Sequence, residues 1–207
     1  MTALQRSWQR AWRALGPDPR DDALLERLLA CYREPHRRYH TLQHLAECLA
    51  HFDPVRHLAL APGEVELALW FHDAIYDVRR HDNEACSAAW ARDELLAAGV
   101  AADAAARVHE LVMATRHATL PGTYDAMLLV DIDVSILGAP PARFDEYEAQ
   151  IRAEYAWVEE GAFRSKRRDV LAGFLARPAI FGTGPFRAAL EAAARANLLR
   201  SLERLEG

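Results

Sequence analysis

The chain has few cysteines, no basic excess and no long apolar run, and each shortage excludes a class of protein. Cys31, Cys48 and Cys86 are an odd number without C-x-x-C spacing, so neither a disulfide framework nor a thiolate zinc knuckle is expected, and a reducing, cytoplasmic setting is. The formal net charge of -5 leaves no global positive field to hold a nucleic-acid backbone, so extended DNA or RNA is not an expected partner. No stretch approaches the ~18 apolar residues of a membrane span. The opening MTALQRSWQRAWRALG has arginines interleaved through it where a secretory leader needs an apolar core. Strand-like alternation with hairpin turns, internal repeats and low-complexity linkers are missing as well.

What the sequence does contain is helix. With 207 residues and 51% hydrophobic content it can build one generous core. Leu4, Trp8, Trp12 and Leu15 stand at helical spacing, and Gly16-Pro17-Asp18-Pro19-Arg20-Asp21 closes that segment. Apolar residues three and four apart then predict helices near 22–33, 41–52, 63–77, 83–98, 102–116, 123–137, 143–159, 163–176 and 186–205. Abundant alanine supports them. Turn signals separate them at Arg33-Glu34-Pro35-His36, Ala61-Pro62-Gly63, Leu120-Pro121-Gly122, Gly138-Ala139-Pro140-Pro141 and Gly182-Thr183-Gly184-Pro185. The expected fold is all-α, a single helical domain over 1–207, with an N-terminal helix and linker in 1–20 and the main body in 21–207. Trp8 and Trp12 either cover that body or form a homodimer contact.

Three clusters mix these helices with groups that bind metals or protons. His72 and Asp73 lie in WFHDAIYD, where an unpaired buried carboxylate would be costly unless a cation compensates it. His40 and His44 in RYHTLQH are four apart, which on a helix puts them on one face. Asp131 and Asp133 interrupt the apolar run LLVDIDVSIL. Either histidine of the pair, and either aspartate of the run, can be the one that reaches a common ion.

In the order histidine, His-Asp, aspartate, these motifs resemble the HD-domain superfamily of metal-dependent phosphohydrolases. YHTLQHL, WFHDAIYD, NEACSA, ATRH, LLVDIDVSILG and IRAEYAWV are similar to a bacterial branch of predicted HD phosphohydrolases, over about residues 35–200. The resemblance implies a phosphodiesterase-like helical bundle in which His44, His72, Asp73 and Asp133 ligate the metal. YHTLQH also resembles the paired-histidine motif of cyclic-nucleotide phosphodiesterases, which implies His40 as general acid; His40 as the ligand stays open, and so does Asp131, read as second shell or as a contributor to a second site with His117.

Two nitrogen and two oxygen donors without a thiolate suit Mn, Fe, Co, Ni, Zn or Mg and leave room for water and substrate. The implied chemistry is hydrolysis of a small phosphorylated metabolite, with a nucleotide as the expected substrate class. His40 would protonate the leaving oxygen and Asp77 or Glu84 would orient the water. Arg37, Arg38, Arg79, Arg80 and Arg116 offer local positive charge to a phosphate, and Lys166 in the run Arg164-Ser165-Lys166-Arg167-Arg168 is a further anion contact. Two alternatives remain: a di-iron oxygenase on the same scaffold, and a metal- or nucleotide-binding regulatory module without turnover.

Overall fold

The structure, a computed structural model of the chain, describes residues 2–16 and 23–206, so the turn expected at Pro17–Asp21 lies outside the described residues. Among the described residues there are helices and turns and no strand, as the periodicity predicts. No described helix is long and apolar enough to cross a membrane. The chain divides into two compact units, Met1–Asp133 and Val134–Gly207.

The first unit is organised around α4 (Pro62–Phe71). Proline in its first turn and Glu64 beside it favour the start of a helix. Every residue from Gly63 to Phe71 is buried, so α4 has no polar face and must be enclosed on all sides. Its neighbours are α1 (Ala3–Ala14), α3 (Leu42–Val55), α5 (Asn83–Ala97), α6 (Ala102–Ala114) and α7 (Tyr124–Asp133). Its two internal acids are both paired. Glu66 accepts from Ser7 Oγ at 2.6 Å and from Arg10 Nε at 3.0 Å, and Glu64 accepts from Arg107 Nε at 2.8 Å.

The same network settles the place of the N-terminal tryptophans. Trp8 packs edge-on against Trp70 with ring centroids 5.2 Å apart, and against Trp12 at 5.5 Å. Both are 2% exposed. They belong to the core of the first unit.

The helix expected over 63–77 is shorter than its pattern. Residues 63–77 read as continuous helix, yet α4 ends at Phe71 and His72 is its C-cap. Side chains from elsewhere take the backbone groups that would have continued it. The Arg37 guanidinium donates to the carbonyls of Asp73 at 2.6 Å and Ala74 at 3.0 Å. Ser87 Oγ receives the Ile75 N–H at 3.0 Å, and Asn83 Oδ1 receives that of Asp77 at 3.1 Å. Local apolar spacing cannot register such competition.

The second unit comprises a 3-10 turn at Val134–Gly138, α8 (Pro141–Glu154), α9 (Glu160–Leu175) and α10 (Gly184–Glu206). Its core holds Phe144, Ile151, Leu171, Phe181 and Leu198. Asn197 donates to the carbonyls of Leu137 at 2.9 Å and Ala139 at 2.8 Å, which secures the 3-10 turn. Arg195 donates to the carbonyls of Leu175, Arg177 and Pro178. The basic run splits in two. Arg164 donates to the Leu205 carbonyl at 2.6 Å and Arg167 is buried against Glu148, while Lys166 and Arg168 face solvent.

Gly63 lies where α1 and α4 approach closely. A Cβ there would stand 2.6 Å from Ala14 Cβ and 3.1 Å from the Ala11 carbonyl, atoms fixed by the helix backbone. Gly63→Ala should therefore push α1 outward and destabilise the protein by about 1–3 kcal/mol. A urea titration followed by tryptophan fluorescence reads this; an unchanged midpoint would contradict the packing of α1 on α4.

Candidate metal centre

Three chain segments of the first unit converge on one buried point. Thr41 caps α3 by accepting from the Gln43 N–H, so His44 falls in its first turn. His72 and Asp73 follow the end of α4, and Asp133 is the last residue of α7. His44 and His72 are 2% and 1% exposed.

Their polar atoms face one another. His44 Nε2 lies 3.1 Å from His72 Nε2, 3.4 Å from Asp73 Oδ2 and 3.3 Å from Asp133 Oδ1. His72 Nε2 lies 3.0 Å from Asp73 Oδ2 and 3.6 Å from Asp133 Oδ1. Donors ~2.0–2.2 Å from one ion stand about 3.0 Å apart at right angles and about 3.5 Å apart at tetrahedral angles. The observed separations, 3.0–3.6 Å, match that interval to within 0.1 Å.

The hydrogen bonds around the centre point the same way. His72 Nδ1 is 2.7 Å from the Leu69 carbonyl, which can only accept, so Nδ1 carries the proton and Nε2 presents its lone pair inward. Asp73 Oδ2 is buried without a well-aligned hydrogen bond, although two ring nitrogens are near it. Two nitrogens and two carboxylate oxygens crowded together need a positive charge between them. The residues present fit a divalent cation.

Cysteine enters where the sequence reading expected a set without sulfur. Cys48 lies one turn after His44 on α3, and ligand atoms of His44, Cys48, His72 and Asp133 all lie within 4.8 Å of one another, so this buried group could hold a metal ion. The i, i+4 spacing from His44 was visible in the sequence. Its Sγ is 3.7 Å from both His44 Nδ1 and His44 Nε2. A sulfur equidistant from the two nitrogens lies on the plane that bisects the ring, away from the direction in which the Nε2 lone pair points.

Charge is strongly perturbed here. Burial alone pushes the His44 imidazole down, but Cys48 and Tyr39, and then the carboxylates of Asp133 and Asp73, raise it well above the ordinary histidine value. For His72 burial again works downward, and Asp73 followed by Asp133 raises it. Burial would push both carboxyls up, yet His72 and His40 hold Asp73 well below the usual range, and hydrogen bonds from His117 and His44 hold Asp133 below it.

The remaining candidates divide. His117 joins the centre from behind: its Nε2 is 3.1 Å from Asp133 Oδ2, and its backbone is held at φ 53°, an uncommon conformation for a side-chain-bearing residue. Asp131 does not take the place of Asp133, because residues two apart on a helix project about 200° apart and Asp131 faces the other side of α7. His40 precedes α3, so the shared helical face expected for His40 and His44 does not form; its half-buried ring stacks on Tyr76 at 4.1 Å and stands 5.9 Å from the His44 ring.

Asp77 is spent on a turn, where its Oδ1 accepts the Arg79 N–H at 2.9 Å. Glu84 sits in the first turn of α5. Arg38 and Arg116 are exposed, and Arg116 lines a cleft of about 870 Å³ together with Leu60, Leu111, Met113 and Asp125; none of the converging residues lines it. Arg37, read as a phosphate contact, is turned inward and buried.

The raised imidazoles fix the sign of a pH effect. Without a cation they keep protons to higher pH than an ordinary histidine, whereas the depressed carboxyls ionise at lower pH than usual, so an entering ion competes with imidazole protons. Metal affinity should rise with pH until it passes the raised imidazole values and fall on acidification. Calorimetry in buffers of different ionisation enthalpy should detect protons released as the ion binds at pH 7; zero release would mean that the ion displaces no imidazole proton. Comparison of the chain with family models, with curated proteins and with solved structures found no match.

Proposed function

We propose that the protein is a metal-dependent phosphohydrolase acting on a small phosphorylated metabolite, with a nucleotide as the favoured substrate class. The observation that carries this reading is the convergence of two imidazole nitrogens and two carboxylate oxygens at 3.0–3.6 Å. The order of the residues in the chain, which resembles the HD superfamily, adds to it. His44, His72, Asp73 and Asp133 would hold the ion, with Cys48 behind His44 and outside the coordination sphere.

Four hard and borderline donors leave positions open on a six-coordinate ion, unlike a closed thiolate site. When bound, such an ion supplies Lewis acidity toward a phosphoryl oxygen and lowers the pKa of water. The chain supplies the rest. The Leu69 carbonyl keeps His72 in one tautomer, and His117 holds the outer oxygen of Asp133 so that the inner one faces the histidines. His40, braced by the Tyr76 ring, is the group we assign to donate a proton to the leaving oxygen.

One observation favours a second reading. Asp133 shows one oxygen to the histidine pair and the other to His117, an arrangement that can serve two ions, and two irons would direct the centre to oxygen chemistry. Metal content separates the two.

Asp73→Ala should lose both the ion and turnover of phosphomonoester and nucleotide substrates while its circular dichroism is unchanged. His40→Gln should retain the ion and lose about 10²–10⁴-fold in kcat. Full turnover in Asp73→Ala would overturn the assignment of the centre; full turnover in His40→Gln would remove only the proton donor. About one ion per chain supports the hydrolase, and about two irons the oxygenase.

A further inference from the structure

We infer that Arg37 is a positioning residue of the metal centre, the group that fixes the segment bearing His40 and His44 against the turn bearing His72 and Asp73. This rests on the reading of the centre as a metal site. Arg37 is 3% exposed, and its side chain is fully enclosed. A buried guanidinium is costly unless its donors are met, and here they are met by the two segments that must come together.

Its Nη1 donates to the His40 carbonyl at 3.2 Å and to the Asp73 carbonyl at 2.6 Å. Nη2 donates to the Ala74 carbonyl at 3.0 Å, and Nε to Glu34 Oε2 at 2.9 Å. The planar cation lies over two aromatic rings, 5.3 Å from that of Tyr32 and 5.5 Å from that of Tyr76. Tyr76 in turn stacks on His40. Tyr32 completes the enclosure by donating its hydroxyl to the Trp70 carbonyl at 3.1 Å, within the last turn of α4.

The consequence is geometric. His44 stands four residues after His40, and Asp73 carries both a carbonyl held by Arg37 and a carboxylate that faces the histidines. Movement of either segment away from Arg37 changes the separation of His44 Nε2 from Asp73 Oδ2, now 3.4 Å. The planar fork is needed for this, because the carbonyls of His40, Asp73 and Ala74 are reached from two nitrogens at fixed angles. A lysine ammonium keeps the charge and cannot reproduce that spread.

Arg37→Lys should stay folded and bind Co²⁺ or Zn²⁺ about 10–100-fold more weakly than the wild type, the usual effect of removing a group that orients ligands. The visible d–d spectrum of bound Co²⁺ should shift. Arg37→Ala should lose more affinity and regain part of it when free guanidinium is added at non-denaturing concentration. Glu34→Gln, a change at a half-exposed position, loosens Arg37 without emptying the cavity and should give a smaller loss of the same sign, which keeps the test open if Arg37→Lys fails to fold.

The imidazole NMR signals of His44 and His72 in metal-free protein supply an independent readout. They should move in Arg37→Lys and in Glu34→Gln. Wild-type affinity and an unchanged Co²⁺ spectrum in these variants, or unmoved imidazole signals, would overturn the role of Arg37 and leave the metal reading intact. A wild-type protein that binds neither ion would overturn the metal reading, and the imidazole signals would then still decide whether Arg37 sets the histidines.

Discussion

Two imidazole nitrogens 3.1 Å apart, each presented to two carboxylates, cannot remain buried without positive charge between them. A pair of facing lone pairs is repulsive, and two carboxylates close by in a poorly solvated setting are repulsive too. A proton or a cation removes both conflicts. The raised imidazoles and depressed carboxyls describe the proton solution, and a divalent ion satisfies all four groups at once. The other features of the centre follow from this need: the fixed tautomer of His72, the support of Asp133 by His117, and the burial that keeps water from screening the charges.

The first unit supplies the stiffness that such an arrangement requires. α4 is enclosed on all sides, so its C-terminal end, which delivers His72 and Asp73, cannot drift far. Its two acids are tied to Arg10 and Arg107, which brace α1 and α6 against it. α3 brings His44 in its first turn, where the Thr41 cap sets the start of the helix, and α7 brings Asp133 at its last residue. Ligands from helix ends are common ground for this kind of site, since a helix terminus can be aimed while its body packs into the core.

Much of this was legible in the sequence. The 3.6-residue period identified the helical class, and histidines and aspartates inside apolar runs singled out His72, Asp73, one of His40 and His44, and one of Asp131 and Asp133; the choice of His44 and Asp133 came with the resemblance to the HD superfamily. The parts that were not legible depend on distant partners. Nothing near WFHDAIYD announces that Arg37 will take the carbonyls of Asp73 and Ala74 and end the helix. The buried role of Arg37 is equally invisible, because an arginine beside histidines reads as a phosphate contact until its surroundings are known. Cys48 was overlooked for a different reason: its spacing from His44 was plain, but a lone cysteine without a second thiol carries little signal for a metal site.

The proposed centre is one ion held by nitrogen and oxygen from His44, His72, Asp73 and Asp133, with Cys48 close by and outside its coordination sphere. X-ray absorption at the metal edge of protein loaded with one equivalent of Zn²⁺ tests it most directly. The expected result is nitrogen and oxygen neighbours alone at ~2.0–2.2 Å, with imidazole scattering beyond them. A sulfur neighbour at ~2.3 Å would contradict it and move the site to the thiolate class, with Cys48 replacing Asp73.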